Sequence, residues 1–315
     1  MKIIVIGQGY IGSAIVKKIS ENNEILVIDN EMFGEIPKFE NVKYLKKDIR
    51  DESLLKDFEE FKPEIIINLA SVVGDPACLV NTSLTMDINL EGIKNICNIV
   101  KKLEIKKFIH CSTCSIFGFS DELMDEESLT LPIDLYAFTK EAQEKIIFNK
   151  LKDEIIIFRF GTVYGFSPFM RYDLIVNKFV AMGLNGKSLT VYGGQQVRPF
   201  IYIEDIVAAI IHVINNNFNL KGIFNLGGEN LTILQMADNI AAQTNVKVII
   251  NKEIEDKRNY RVSNKKIKNT DFVFKGTIQK FIEEMKKYKD IFLDYENPIY
   301  YRDRTLRKFL EKEAQ

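Results

Sequence analysis

Residues 2–12 read K-I-I-V-I-G-Q-G-Y-I-G, from Lys2 to Gly12. Ile3, Ile4, Val5 and Ile6 form an unbroken apolar run, the signature of a strand covered on both faces. Three glycines then follow as G-x-G-x-x-G. In a strand-to-helix turn of this kind each has a separate physical task. Gly7 permits the tight turn, Gly9 lets a pyrophosphate approach the backbone, and Gly12 lets helix and strand pack closely. The helix that opens at Tyr10 and Ile11 presents free N–H groups and positive potential to the phosphates.

Working outward, the same alternation continues. Short apolar runs at residues 24–28, 42–45, 65–69, 108–111 and 155–158 predict further strands. Helical patterns at 10–20, 53–61, 85–103 and 135–151 separate them. Strand–helix alternation predicts an α/β fold, a Rossmann-type doubly wound parallel sheet with right-handed crossovers. After Phe160 the pattern loosens into a loop-rich stretch to about Pro199, holding a helix near 174–182 and a strand at 189–192. A helix at 204–215 and a strand at 223–226 return to the sheet. Residues 1–165, with about 200–226, are expected to form the dinucleotide-binding domain. Residues 166–199 and 227–315 would form a smaller, interleaved C-terminal substrate-binding domain. Thr277 predicts an N-cap for an amphipathic helix through Ile278, Phe281, Ile282 and Met285.

Composition excludes several classes. The 315 residues carry 43 Lys+Arg against 44 Asp+Glu, a net charge of −1, so no nucleic-acid footprint is expected. Four cysteines are too few for a disulfide framework and fit a reducing, cytoplasmic setting. No apolar stretch is long enough to span a membrane, and the glycines of the first turn break up any resemblance to a signal peptide. Cys111-Ser-Thr-Cys114 has redox-like spacing, but Cys111 ends a strand and no further ligands stand nearby, so no metal site is expected.

Two further features carry chemistry. Asp29 closes the second strand, where a carboxylate would accept hydrogen bonds from an adenosine ribose and repel a 2′-phosphate; no Arg follows directly. NAD is therefore expected as cofactor, with Asp48-Ile49 after the third strand bracketing the adenine. Tyr136 and Lys140 in Y-A-F-T-K lie four apart on a predicted helix, so they share a face, and they follow Thr113 at the end of the fifth strand. The carboxyl ends of such strands form the ligand crevice. A tyrosine ordinarily ionises at about pH 10. The Lys140 ammonium and a cationic nicotinamide would favour the phenolate, and a shift of about three units corresponds to roughly 4 kcal/mol. Tyr136 would then remove a proton from a sugar hydroxyl held by Thr113 while the C–H hydride leaves.

These motifs, with Asn68-Leu69-Ala70, Asn89, S-T-C-S-I-F-G (112–118), R-F-G-T-V-Y-G (159–165) and R-P-F-I-Y-I-E-D (198–205), resemble the extended short-chain dehydrogenase/reductases of the NAD-dependent nucleotide-sugar epimerase/dehydratase family. The resemblance covers roughly residues 2 to 285. It implies that Thr113, Tyr136 and Lys140 are catalytic. It implies dinucleotide contacts from Tyr10, Ile11, Asn30, Leu69, Ala70, Ser71, Asn89, Phe160 and Val163. For the nucleotide sugar it implies Val73, Thr162, Leu174, Asn177, Arg198 and Arg258, with Arg171 a further phosphate candidate by its charge. It also implies a homodimer or homotetramer formed through the helices near 85–103 and 135–151.

Departures from the family narrow the reaction. The 4,6-dehydratases carry Asp-Glu directly after the catalytic Thr; here Cys114-Ser115 stand there, which disfavours dehydration. A 3,5-epimerising synthase needs a Cys two residues after that Thr and a His after the next Y-G. Those places read Ser115 and Phe166-Ser167-Pro168-Phe169. Thr162 replaces a common phosphate-contacting Asn. The remaining set suits oxidation and reduction at one carbinol carbon, leading to a nucleotide-sugar 4-epimerase. The alternatives are a net 4-dehydrogenase or 4-ketoreductase, such as one acting on a nucleotide-heptose for surface polysaccharide, and a non-catalytic NAD-binding sensor.

Overall fold

A computed structural model describes residues 1–151, 154–215, 220–252 and 258–313. Seven parallel strands form the main sheet: Lys2–Ile6, Glu24–Asp29, Val42–Lys46, Ile65–Asn68, Lys107–Thr113, Ile155–Phe160 and Gly222–Leu226. Numbered along the chain, their spatial order is 3-2-1-4-5-6-7. The order reverses between the first and fourth strands, which pair directly with Ile3 opposite Ile65. A crevice at such a reversal is where open α/β sheets bind ligands.

The strands read as continuous apolar runs because alternate residues feed two separate cores. Ile3, Val5, Ile25, Val27, Ile65, Ile67 and Phe158 pack on one face with Val16, Ile19 and Ile206. Ile4, Ile6, Leu26, Ile28, Ile66 and Ile157 pack on the other with Phe58, Ile93, Ile96 and Ile147. Each fully buried aliphatic side chain contributes about 1.5–3 kcal/mol of transfer free energy, so covering both faces is what holds the sheet.

Most predicted elements stand within a residue or two of their expected bounds. One does not. The expected helix at 85–103 starts earlier, as Thr82–Met86, opens into a π-helical turn at Asp87–Glu91, and resumes as Gly92–Val100. The wide turn carries Asn89 at its centre, and that side chain is wholly buried. Beyond the main sheet lie elements the sequence pattern did not announce. Strands Glu229–Thr232, Val197–Tyr202 and Thr162–Tyr164 form a small sheet, Val248–Asn251 pairs with the expected strand Leu189–Tyr192, and Phe119–Met124 pairs with Asn259–Val262. Helix Ile233–Thr244 carries a full capping box from Thr232 and Gln235. Helix Arg302–Glu313 ends the described chain. Thr277 caps helix Ile278–Met285 as expected, accepting from the Lys280 amide. No described helix is long and apolar enough to cross a membrane.

Candidate active site

A single cavity of about 1020 Å³ runs along the carboxyl ends of the strands, over the first glycine turn. The turn is closed by backbone contacts. Gly7 has φ +88°, and a Cβ there would stand 2.7 Å from the Ala70 amide nitrogen; one on Gly12 would stand 2.3 Å from the Gly7 carbonyl oxygen. Gly9 is different: a Cβ there would meet nothing within 4 Å, so its missing side chain leaves open space over the start of helix Tyr10–Ile19. That space, facing unpartnered helix amides, fits a pyrophosphate.

Asp29 borders the same space and braces the turn. Its carboxylate accepts from the Gln8 amide at 2.7 Å and the Glu31 amide at 2.7 Å. Burial raises its pKa against the pull of those bonds. Asn30 and Ile49 line the cavity beside it. Asp48 does not: its carboxylate takes the Asn30 amide at 2.9 Å and the Arg50 guanidinium at 2.8 and 2.9 Å, so it steadies the loop after the second strand from behind.

Helix Leu135–Lys150 is capped by Asp134, which accepts from the Ala137 amide at 2.7 Å. Its register brings Tyr136 and Lys140 to the cavity together, beside Thr113 at the end of the fifth strand. The Tyr136 phenol is hydrogen-bonded to the Thr113 side chain. Thr113 Oγ1 also accepts from the Ser115 amide at 3.1 Å. Lys140 Nζ reaches Ser71 Oγ at 3.4 Å, and Gln143 donates to the same oxygen at 3.1 Å and to the Asn89 carbonyl at 2.7 Å.

The phenol departs from expectation. In the protein alone its pKa is raised, because burial outweighs the Thr113 hydrogen bond. Lys140 is not what compensates it: burial lowers the ammonium's own pKa to about 8. The three side chains by themselves therefore hold a neutral phenol. Behind the triad, Glu144 and Arg159 form a buried ion pair at 2.7 Å, and Ser112 donates to Glu144 at 2.5 Å. These bonds pin the helix to the fifth and sixth strands.

Two more expected ligands stand behind the wall. Asn89 accepts from the Val72 amide at 2.8 Å and donates to the Val72 carbonyl and Thr139 at 3.0 Å, clamping the Ser71–Val73 loop to helix Leu135–Lys150. The π-helical turn is what aims it inward. Asn177 accepts from the Gly165 amide at 3.0 Å and donates to Tyr10 at 3.1 Å and to the Arg171 carbonyl at 3.0 Å. Tyr10, Ile11, Leu69, Ala70, Ser71, Val73, Phe160, Thr162, Val163, Arg171, Leu174, Arg198 and Arg258 all line the cavity. Asp256 and Lys257, beside Arg258 in the sequence, lie outside the described residues.

The structure adds Phe169, Asp173, Lys178, Tyr192, Gln196 and residues 301–304 to the wall. Arg171 is held by Asp173 through two bonds, at 2.9 and 2.7 Å. Cys114 points away from the cavity, donating to the Arg159 carbonyl at 3.1 Å, and burial raises its pKa. All four cysteines are buried free thiols. No three His, Cys, Asp or Glu side chains converge as a metal site among the described residues.

A pyrophosphate-accepting glycine turn at a sheet reversal, joined in one cavity to a Tyr–Lys–Thr set, defines a dinucleotide-dependent oxidoreductase of the short-chain type. The comparisons are specific. The model of the NAD dependent epimerase/dehydratase family matches residues 3–227. An uncharacterized protein of Methanocaldococcus jannaschii is 31% identical over 247 residues, 71% of this chain and 75% of its own. A UDP-glucuronate 4-epimerase of Thermodesulfobacterium geofontis is 32% identical over 184 residues, 56% of either chain. The solved UDP-glucose 4-epimerase of Thermotoga maritima, with UDP-glucose, aligns with a TM-score of 0.81 at 23% identity, covering 91% of this chain and 99% of that one. The chain belongs to the NAD-dependent epimerase/dehydratase family and is an extended short-chain dehydrogenase/reductase that uses NAD.

Proposed function

We propose that the protein is a nucleotide-sugar 4-epimerase. The observation that carries this reading is the convergence of Thr113, Tyr136 and Lys140 on one cavity, with a buried thiol and a serine after Thr113 where a dehydrating site needs carboxylic acids. Bound NAD⁺ would supply hydride-accepting and hydride-returning chemistry at C4. Thr113 would hold the C4 hydroxyl, and Tyr136 would take its proton on oxidation and return it to oxygen on reduction from the other face, so the cycle would consume no net oxidant.

The dinucleotide would lie over residues 1–165, with Gly9 and the first helix under its phosphates and Asp29 at its adenosine ribose. Leu174, Arg198 and Arg258, from the interleaved segments 166–199 and 227–315, would hold the nucleotide sugar together with Thr162. We place the protein in the cytoplasm, in polysaccharide biosynthesis. Phe138 and Phe148 are exposed on the catalytic helix, which supports self-association through that helix and its neighbour; sedimentation at micromolar protein tests it, and a monomeric mass would exclude it.

The deciding assay mixes purified protein with UDP-, GDP-, CDP- or dTDP-sugars and no added NAD⁺. Interconversion of C4 epimers at catalytic turnover supports the epimerase. Stoichiometric NADH and ketosugar instead identify a net 4-dehydrogenase.

A further inference from the structure

Arg302 opens the C-terminal helix Arg302–Glu313, outside residues 3–227 matched by the family model. The helix is fixed to the dinucleotide side of the molecule. Leu306 is fully buried in the core that holds Ile6, Ile28, Met32, Val72 and Cys78. The start of the helix is tied down as well: the Arg302 amide donates to Asp173 at 3.3 Å, and Thr305 donates to the Tyr301 and Arg302 carbonyls at 3.1 Å.

This anchoring delivers the Arg302 side chain to the cavity wall, where it is 2% exposed. Its guanidinium carbon lies 4.6 Å from the Phe169 ring centroid and 5.3 Å from that of Phe33. Among the described residues, neither Nη1 nor Nη2 has a hydrogen-bond partner. A desolvated guanidinium with both terminal nitrogens unused is costly, and the fork geometry of those nitrogens matches phosphate oxygens. Asp29 and Asp173 attract the group and Arg171 repels it, without any of them hydrogen-bonding its terminal nitrogens. Burial, the larger influence, together with Arg171, lowers its pKa to about 9, so it is still charged at neutrality.

The neighbours identify the ligand. Asp29 closes the second strand and its carboxylate holds the glycine turn, while Phe33 follows in the next loop. Arg302 therefore faces the adenosine–pyrophosphate end of the cavity. A 2′-phosphate there would sit against the Asp29 carboxylate, whereas a pyrophosphate would fit the open space at Gly9 over the first helix. We propose that Arg302 is a binding residue for the pyrophosphate of the dinucleotide, donated across the cavity by the C-terminal helix. The inference rests on the dinucleotide reading of the cavity.

The test uses full-length protein stripped of nucleotide, with calorimetric titration of NAD⁺, ADP and adenosine. Arg302→Met keeps bulk and removes the donors; Arg302→Lys keeps the charge without the fork. Arg302→Met should weaken NAD⁺ and ADP by about 10–100-fold, the size of a lost charge-assisted bond, and leave adenosine within about twofold. Arg302→Lys should recover part of the loss. The nucleotide-free melting temperature of Arg302→Met should not fall, because a buried charge without a bonded partner is removed. Unchanged ADP affinity in Arg302→Met overturns the proposal, as does an equal loss for adenosine or a lowered melting temperature with all ligands weakened alike. Wild-type protein that binds neither NAD⁺ nor ADP would overturn the dinucleotide reading itself; wild-type binding matched by Arg302→Met would overturn only the role of Arg302.

Discussion

Across the cavity, the wall built by the first strand, its glycine turn and the first helix presents backbone, whereas Arg171, Asp173, Arg198, Arg258, Arg302, Asp303 and Arg304 present side-chain charge. On the backbone side, shape is set by contacts that tolerate no added atom, and Asp29 is satisfied by two amides. On the other side Arg171 is bound to Asp173, and Arg302 lies beside the Phe169 and Phe33 rings with its terminal nitrogens unused. The difference teaches a division of labour. Backbone geometry sets the shape of one wall, and opposing cations set the charge of the other.

The largest expected effect lies where the backbone-defined wall meets the chemistry. Tyr136→Phe removes the proposed base without disturbing the glycine turn, so turnover should fall about 10²–10⁴-fold while NAD⁺ binding, measured by calorimetry, stays near wild type. Unchanged turnover would remove Tyr136 from the mechanism.

Lys140, on helix Leu135–Lys150, brings a buried cation to the cavity. Its folded pKa is about 8 against an ordinary 10.5. Below pH 8 both folded and unfolded chains carry the charge, and the folded state bears the full cost of burying it. Between about pH 8 and 10.5 the unfolded chain holds the extra proton, so stability rises with pH. Lys140→Met should therefore stabilise the nucleotide-free protein at pH 7 by on the order of 3 kcal/mol. The gain should vanish above about pH 10.5, and activity should be lost throughout. Denaturant melts at pH 7 and pH 10.5 check this; equal gains at both values would refute the depressed pKa.

The glycines separate shape from space. Gly12→Ala drives a Cβ into the Gly7 carbonyl, and should destabilise the fold by about 1–3 kcal/mol as overpacking does. Gly9→Ala meets no protein atom, so its melting temperature should match wild type within about a degree or two. Its NAD⁺ affinity should nevertheless fall, because the methyl occupies the phosphate position. A Gly9→Ala protein that binds NAD⁺ normally would show that the dinucleotide does not cross the turn there.

Legibility in the sequence followed the same division. Strands of the main sheet announced themselves because both faces are buried, which leaves runs such as Ile65-Ile-Ile67 without polar breaks. The glycine turn and the Tyr136/Lys140 pair were visible because their spacing is local. Strand Val197–Tyr202 was missed although it is entirely buried, since Arg198 and Pro199 interrupt its pattern. Asn89 and Asn177 are expected as ligands only through the family resemblance; the π-helical turn and the fold of 165–177 show that they hold backbone. Arg302 had no local signal at all. Its meaning comes from meeting Asp29, Phe33 and Phe169, which lie far from it along the chain.

The smallest expected effect tests the charged wall most directly. Asp173 neutralises Arg171 through two bonds and also lies close enough to Arg302 to offset the repulsion between the two cations. Asp173→Asn keeps a hydrogen-bond acceptor but removes that compensation. The nucleotide-free protein should then melt a few degrees lower, as two buried cations face each other with less between them. Affinity for ADP should rise by roughly threefold, within the range of a single partly screened charge, and should fall more steeply with added salt. The opposite result, weaker ADP binding with a shallower salt dependence, would mean that Asp173 acts by positioning Arg171. The wall would then recognise anions through geometry, as the glycine turn does, and the contrast between the two sides would disappear.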